Sequence, residues 1–357
     1  MKKSAWLPAV LAPVVVAGAV AVPMIANAAN DPIAGKQPTA ADVIASIAES
    51  SDAQYSGKLV QTSDLGLPEL PTGSGGSSLE GDASDVLGLV TASHTARVYV
   101  DGPTKQRVQL VQQLAEQDLV RNGSDVWTWD SAKRTATHVT LPAHATTPQD
   151  GTTTPAEIAK QAVEGITPTT TVSRPTAVRV AGHDAWQITL TPKSSGTLVG
   201  AVRLAVDQQT GLPLRATVQA KGQDDPAVQV GFTSLSYGAP AARLFDFTPP
   251  SNAKVETKDL SAAGTHAEGD ARHHRTHAAG AEPTFTGKGW STIAELPAGT
   301  VDQSSLGDDA SGLLGQVTKA VDGGRAVQTS LVSVYLTEDG RVLAGAVPVS
   351  ALVAAAK

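Results

Sequence analysis

The chain is 357 residues long, with no cysteine, five Trp, four Tyr, four Phe and a formal charge of −7. Without cysteine it forms no disulfide, iron–sulfur cluster or thiolate zinc site, and it has no cysteine for N-terminal acylation. Its 27 basic residues against 34 acidic ones exclude a nucleic-acid binder that relies on a strongly positive surface.

Met1-Lys2-Lys3 precedes an apolar run from Ala5 to Ile25, and Ala26-Asn27-Ala28 supplies small residues at −3 and −1. This pattern predicts an export signal over 1–28, cleaved before Ala29. The alternative is a retained membrane anchor, against which Pro8, Pro13 and Pro23 interrupt the run. The expected location is extracytoplasmic, in the cell envelope or secreted, and not as a lipoprotein.

The first element expected after the signal is a helix over Thr39–Ser51. Thr39 and Asp42 make a capping-box-like start, and Val43, Ile44, Ile47 and Ala48 form one apolar stripe. A strand is expected over Tyr55–Thr62. Pro71–Gly81 is dominated by Gly and Ser, which predicts a flexible tether. Beyond it Val86, Leu87, Leu89 and Val90 form a short apolar segment, the candidate lid.

From Thr95 to Tyr237 apolar residues recur with period two. Val98 and Val100 alternate with Arg97, Tyr99 and Asp101, and Val108 and Leu110 alternate with Arg107 and Gln109. Trp127 and Trp129 flank Thr128. Further on come Trp186, Ile188 and Leu190, then Val202 and Leu204, then Leu214 and Val218, and last Val228, Val230 and Phe232. Turns fall at Asp101-Gly102-Pro103, Asn122-Gly123, Gly182-His183-Asp184 and Thr210-Gly211-Leu212-Pro213. A large antiparallel sheet with one apolar and one solvated face is expected, with Arg97, Arg107, Arg203 and Arg215 on the solvated side. Pro155–Glu164 reads as a second helix, bounded by Pro155 in its first turn and Gly165 past its end.

Residues 256–282 hold His266, His273, His274 and His277 but almost no large apolar residue, and read as a disordered linker. Residues 283–357 are expected to form a small α/β unit. Its helices would be Ser311–Val321 and Ser350–Lys357, and a hairpin of Ala326–Leu336 with Arg341–Val347 would turn at Glu338-Asp339-Gly340.

So large an apolar sheet face with so few helices leaves two outcomes. Either an apolar cleft remains between sheet and helices, or the sheet closes into a sandwich or barrel filled by its own side chains. Trp127, Trp129 and Trp186 are expected on the apolar face, as cavity lining or as core.

Several segments in order resemble the superfamily of the lipoprotein carrier LolA and the sigma-factor regulator RseB/MucB. They are Tyr55-Ser56-Gly57-Lys58-Leu59 and the hairpin Asp118–Trp129, which turns through Asn122-Gly123 into a Trp-bearing strand. They continue with Ala181–Trp186, Asp207 followed by Thr210-Gly211-Leu212-Pro213, and Phe245-Asp246-Phe247-Thr248-Pro249-Pro250. The resemblance spans roughly Thr39 to Val255 and implies an α+β fold: a curved antiparallel half-barrel, residues 29–255, over a few helices, with an apolar cavity between them. It implies a lipid or lipoprotein acyl chain as ligand, or, alternatively, the extracytoplasmic part of a membrane anti-sigma factor as partner. The Gly/Ser-rich insertion departs from the family pattern, and the match of 283–357 to the second domain of RseB-type members is positional only.

Catalytic motifs do not assemble. No Gly-x-Ser-x-Gly elbow follows a strand, and neither a Walker loop nor a strand-linked dinucleotide fingerprint occurs. Asp224-Asp225 and Asp308-Asp309 lack calcium-loop spacing. Arg272 and Arg275 would repel a cation from His273, His274 and His277, so no metal or cofactor is expected. The sequence predicts a non-enzymatic binding protein. Its cavity candidates are Val98, Val100, Val108, Leu110, Trp127, Trp129, Trp186, Ile188, Leu190, Val202 and Leu204.

Overall fold

The computed structural model describes residues 37–66, 93–111, 115–141, 163–259, 283–299 and 318–357. The export signal, the Gly/Ser stretch, the lid candidates Val86, Leu87, Leu89 and Val90, and the histidine cluster lie outside the described residues.

Helix α1 spans Ala40–Glu49. Its capping box is complete: the Thr39 hydroxyl accepts the Asp42 amide at 3.2 Å, and the Asp42 carboxylate accepts the Thr39 amide at 2.7 Å. Thirteen strands follow in one sheet: β1 (Gln54–Ser63), β2 (His94–Asp101), β3 (Lys105–Val111), β4 (Glu116–Asn122), β5 (Asp125–Asp130) and β6 (Thr135–Thr140). Then come β7 (Thr170–Val172), β8 (Thr176–Val180), β9 (His183–Pro192), β10 (Val199–Asp207), β11 (Pro213–Ala220), β12 (Pro226–Tyr237) and β13 (Lys254–Asp259). Their order is β13-β6-β5-β4-β3-β2-β1-β12-β11-β10-β9-β7, with β8 also on β9. The two ends do not meet, so the sheet is an open, curved half-barrel and the fold is α+β.

Three expectations are corrected here. The linker does not begin at residue 256: Lys254–Asp259 pairs in parallel with β6, the one parallel ladder among the described residues. Gly165 does not end the second helix, because residues 163–166 are helical; the rest of that helix lies outside the described residues. Ala326–Leu336 is two strands rather than one.

The smaller sheet has six strands in the order β14-β15-β19-β18-β17-β16. These are β14 (Thr284–Thr286), β15 (Ile293–Leu296), β16 (Lys319–Val321), β17 (Gly324–Gln328), β18 (Ser333–Thr337) and β19 (Val342–Gly345). Lys319–Val321, expected as the end of a helix, is therefore a strand. Helix α2 (Val349–Ala355) packs on this sheet around Ile293, Ala326, Tyr335, Leu343, Val347 and Leu352. Arg341 holds the end of α2 by donating to the Ala356 carbonyl at 2.9 Å, while pairing with Glu295 at 3.0 Å and Asp339 at 2.8 Å.

The two sheets share a buried cluster in which Trp290 and Leu331 pack with Val199, Val202, Val218 and Val228. Two backbone bonds tie the same ends. Leu198 donates to the Ala346 carbonyl at 2.8 Å, and Ser330 donates to the Leu65 carbonyl at 2.9 Å.

Candidate functional site

Directly opposed residues of an antiparallel ladder share a face. Following the register from β9, Ile188 faces Leu204, Leu204 faces Ala216, Ala216 faces Val230, Val230 faces Gln61 and Gln61 faces His94. His94 shares its side with Ala96, Val98 and Val100, and Val98 faces Val108. Trp186, Ile188, Leu190, Val202, Leu204, Val98, Val100, Val108 and Leu110 therefore lie on one face, drawn from four strands. Helix α1 covers part of it, with Val43, Ile44 and Ile47 against Trp186, Ile188, Leu204 and Val206. Burial grades across this face. Ile188, Val98, Val100 and Val202 are buried, whereas Val108, Leu110, Trp186, Leu190 and Leu204 are only half-buried.

Trp127 and Trp129 are not on this face, which corrects the expectation. Val108 faces Leu119, and Leu119 faces Thr128, so the two neighbouring tryptophans point to the opposite side. There Trp127 stacks on His138 with centroids 4.4 Å apart and meets Phe247 at 5.5 Å. His138 in turn lies 2.7 Å from Asp125. The chain after β12 crosses this outer side as a strap, burying Phe245 and ending in β13.

Arg107 is likewise not solvated. It pairs with Asp118 at 2.6 Å and donates to the Leu244 carbonyl of the strap at 3.2 Å. Arg107 Nε and Asp118 Oδ1 are buried without a hydrogen-bond partner, so only part of the desolvation of this pair is recovered.

The Thr210-Gly211-Leu212-Pro213 turn seats α1. Asp207 Oδ1 accepts the amides of Gln209 and Thr210 at 2.8 and 2.9 Å. Gly211 has φ +71, and a Cβ there would lie 2.1 Å from the Ser46 carbonyl oxygen of α1. Gly57 plays a similar part in β1, leaving room for the Phe232 ring, which would lie 2.8 Å from an added Cβ. Beside this turn the Tyr55 phenol is pushed up to about 12 by burial.

Where α1 begins, an open pocket of about 820 Å³ lies between it, residues 163–167 and β7. Pro38, Ala40, Ala41, Val163 and Val172 form its apolar wall, and Arg174 and Lys193 its charged one. Among the described residues no acidic side chain lines it. The sequence offered no signal for this pocket, because neither cation belongs to a motif. It likewise offered none for Trp290, an isolated aromatic in a Gly-rich stretch.

Among the described residues no group of three or more His, Asp or Glu could hold a metal, and no helix is long and apolar enough to cross a membrane.

The matches among solved structures include MucB and a LolA-superfamily protein. The MucA/MucB complex of Pseudomonas aeruginosa matches at 16% identity and TM-score 0.45, over 87% of this chain and 95% of that one. MucB bound to the periplasmic part of MucA matches at 15% identity and TM-score 0.44, with the same coverage. A LolA superfamily protein from Nitrosomonas europaea matches at 12% identity and TM-score 0.24, over 59% of this chain and 98% of that one. No family model matches the chain, and no curated protein does.

Proposed function

We propose that the chain is an extracytoplasmic, non-enzymatic binding protein that holds the acyl chain of a lipid or lipoprotein on the α1 face of its half-barrel. The observation that carries this reading is the apolar α1 face of an open sheet, whose half-buried members Val108, Leu110, Trp186, Leu190 and Leu204 retain surface for a ligand. Burial of apolar area, about 25 cal/mol per Å², drives such binding without covalent chemistry. Native mass spectrometry of the whole chain purified from its own host is expected to show co-purified lipid. Leu110→Asp is expected to lose it while keeping the cooperative fold; a lipid-free wild type that also takes up no added fatty acid sinks the reading.

The second reading is an envelope-stress regulator that binds the extracytoplasmic part of a membrane anti-sigma factor. What favours it is the six-stranded sheet, which has its own core and whose terminal strands β14 and β16 pair on one side only among the described residues. Titration of the whole chain with the periplasmic part of the host's anti-sigma factor decides it, and absence of saturable binding removes it.

A further inference from the structure

We infer that the pocket at the start of α1 is a site for the acidic head of an acyl-chain amphiphile; this rests on the acyl-binding reading and names the class of ligand. Three observations carry it together. The first is size: at about 820 Å³ the open pocket falls within the range of small-molecule sites.

The second is charge. Arg174 and Lys193 line the pocket, and neither forms an ion pair with any described residue. Lys193 is fixed against the wall by its Nζ, which donates to the Thr167 carbonyl at 2.6 Å, and it keeps two further N–H groups. Asp42 of α1 is turned back onto the Thr39 amide and hydroxyl at 2.7 and 2.8 Å and forms no ion pair with either cation. Thr171 adds a hydroxyl to the same wall, whereas the Thr39, Thr167 and Thr170 hydroxyls are engaged elsewhere.

The third is the apolar part of the lining. Ala40, Ala41, Val163 and Val172 are apolar, and Ala40 belongs to the cluster that carries Ile188 and Val206 on the α1 face. A chain attached to a charged head at Arg174 and Lys193 would cover this alanine and valine surface, which an isolated anion would leave bare. A carboxylate and a phosphate monoester satisfy this arrangement alike, each accepting charge-assisted hydrogen bonds from both cations.

The test is displacement of a fluorescent fatty acid from the whole chain by palmitate, palmitoyl lysophosphatidate, palmityl alcohol and inorganic phosphate. Palmitate and the lysophosphatidate are expected to compete at least about tenfold better than the alcohol, the tighter of the two naming the head group. Inorganic phosphate is expected not to compete. The surface double variant Arg174→Gln/Lys193→Gln is expected to weaken both acids by about ten- to a hundredfold and to leave the alcohol unchanged, with Arg174→Lys recovering part of the loss. Equal binding of acid and alcohol, or an equal loss of both in the double variant, overturns the head-group site while acyl binding stands. Competition by phosphate alone overturns it in favour of a free-anion site. Failure of every acyl compound overturns the acyl-binding reading itself.

Discussion

The indole N–H of Trp290 donates to the hydroxyl of Thr170 across 2.8 Å, and the two residues are 3% and 0% exposed. One residue belongs to the smaller sheet's approach and the other to β7 at the edge of the large sheet. The preceding Gly289 has φ +57, and a Cβ there would strike the Thr169 side chain at 2.7 Å. The two sheets are therefore joined by a fitted, buried contact and not by a loose tether.

Trp290→Ala is expected to cost about 3–5 kcal/mol, the range for truncating a buried aromatic. It should also split thermal unfolding into two transitions, since it removes the centre of the shared cluster. Trp290→Phe should cost less, about 1–3 kcal/mol, mainly by removing the buried hydrogen bond from the indole to Thr170. Calorimetry showing one unchanged transition for Trp290→Ala would refute the coupling.

Gly211→Ala is expected to destabilise by more than about 3 kcal/mol, because the new Cβ must displace the α1 backbone at Ser46 as well as hold a left-handed φ. Gly123→Ala is the control. It has φ +66 in the β4–β5 turn with nothing within 4 Å, and should cost only about 1–2 kcal/mol. Urea midpoints that fall equally for both would show that the contact with α1 is immaterial.

Asp118→Ala should cost about 2–4 kcal/mol, since it strands the largely buried Arg107 guanidinium under the strap. The combined Arg107→Met/Asp118→Leu variant should be more stable than Asp118→Ala, because no charge is then left unpaired. A double variant less stable than the single one contradicts this account.

Alkaline stability follows from the buried Tyr55 phenol. The Tyr55 hydroxyl, raised to about 12, keeps its proton in the folded chain where the unfolded chain loses it near 10. Its contribution is thus fully present below pH 10 and is lost as pH rises towards 12, at up to about 1.4 kcal/mol per pH unit. Tyr237 is raised as well, chiefly by burial, with Asp207 adding to it. Tyr55→Phe should flatten the decline in urea midpoint between pH 9 and 11.5; parallel declines in variant and wild type would discount Tyr55.

Local signals were legible where the chemistry is short-range. The Thr39/Asp42 cap, the Asn122-Gly123 hairpin and the Asp207–Pro213 turn each depend on residues within a few positions of one another, and each forms as its residues suggest. Period-two alternation likewise located β2, β3, β9 and β10. What alternation could not tell was which side of one strand meets which side of the next. Trp127 and Trp129 share a face with each other, but joining that face to Val98 or to His138 depends on the β3–β4–β5 register.

By itself, then, the sequence determined many strands of the large sheet, their turns, the capped first helix and the dominance of one antiparallel sheet. These rest on backbone propensity and on side-chain periods of a few residues. Only the tertiary structure decided that the tryptophans divide between two faces, that Arg107 is buried against Asp118, that residues 254–259 close the sheet edge in parallel, and that Trp290 joins the two sheets. Each of those depends on register or on contact between distant residues, such as the 120 positions separating Thr170 from Trp290. Energies of that kind come from packing and desolvation, which no short window of sequence contains.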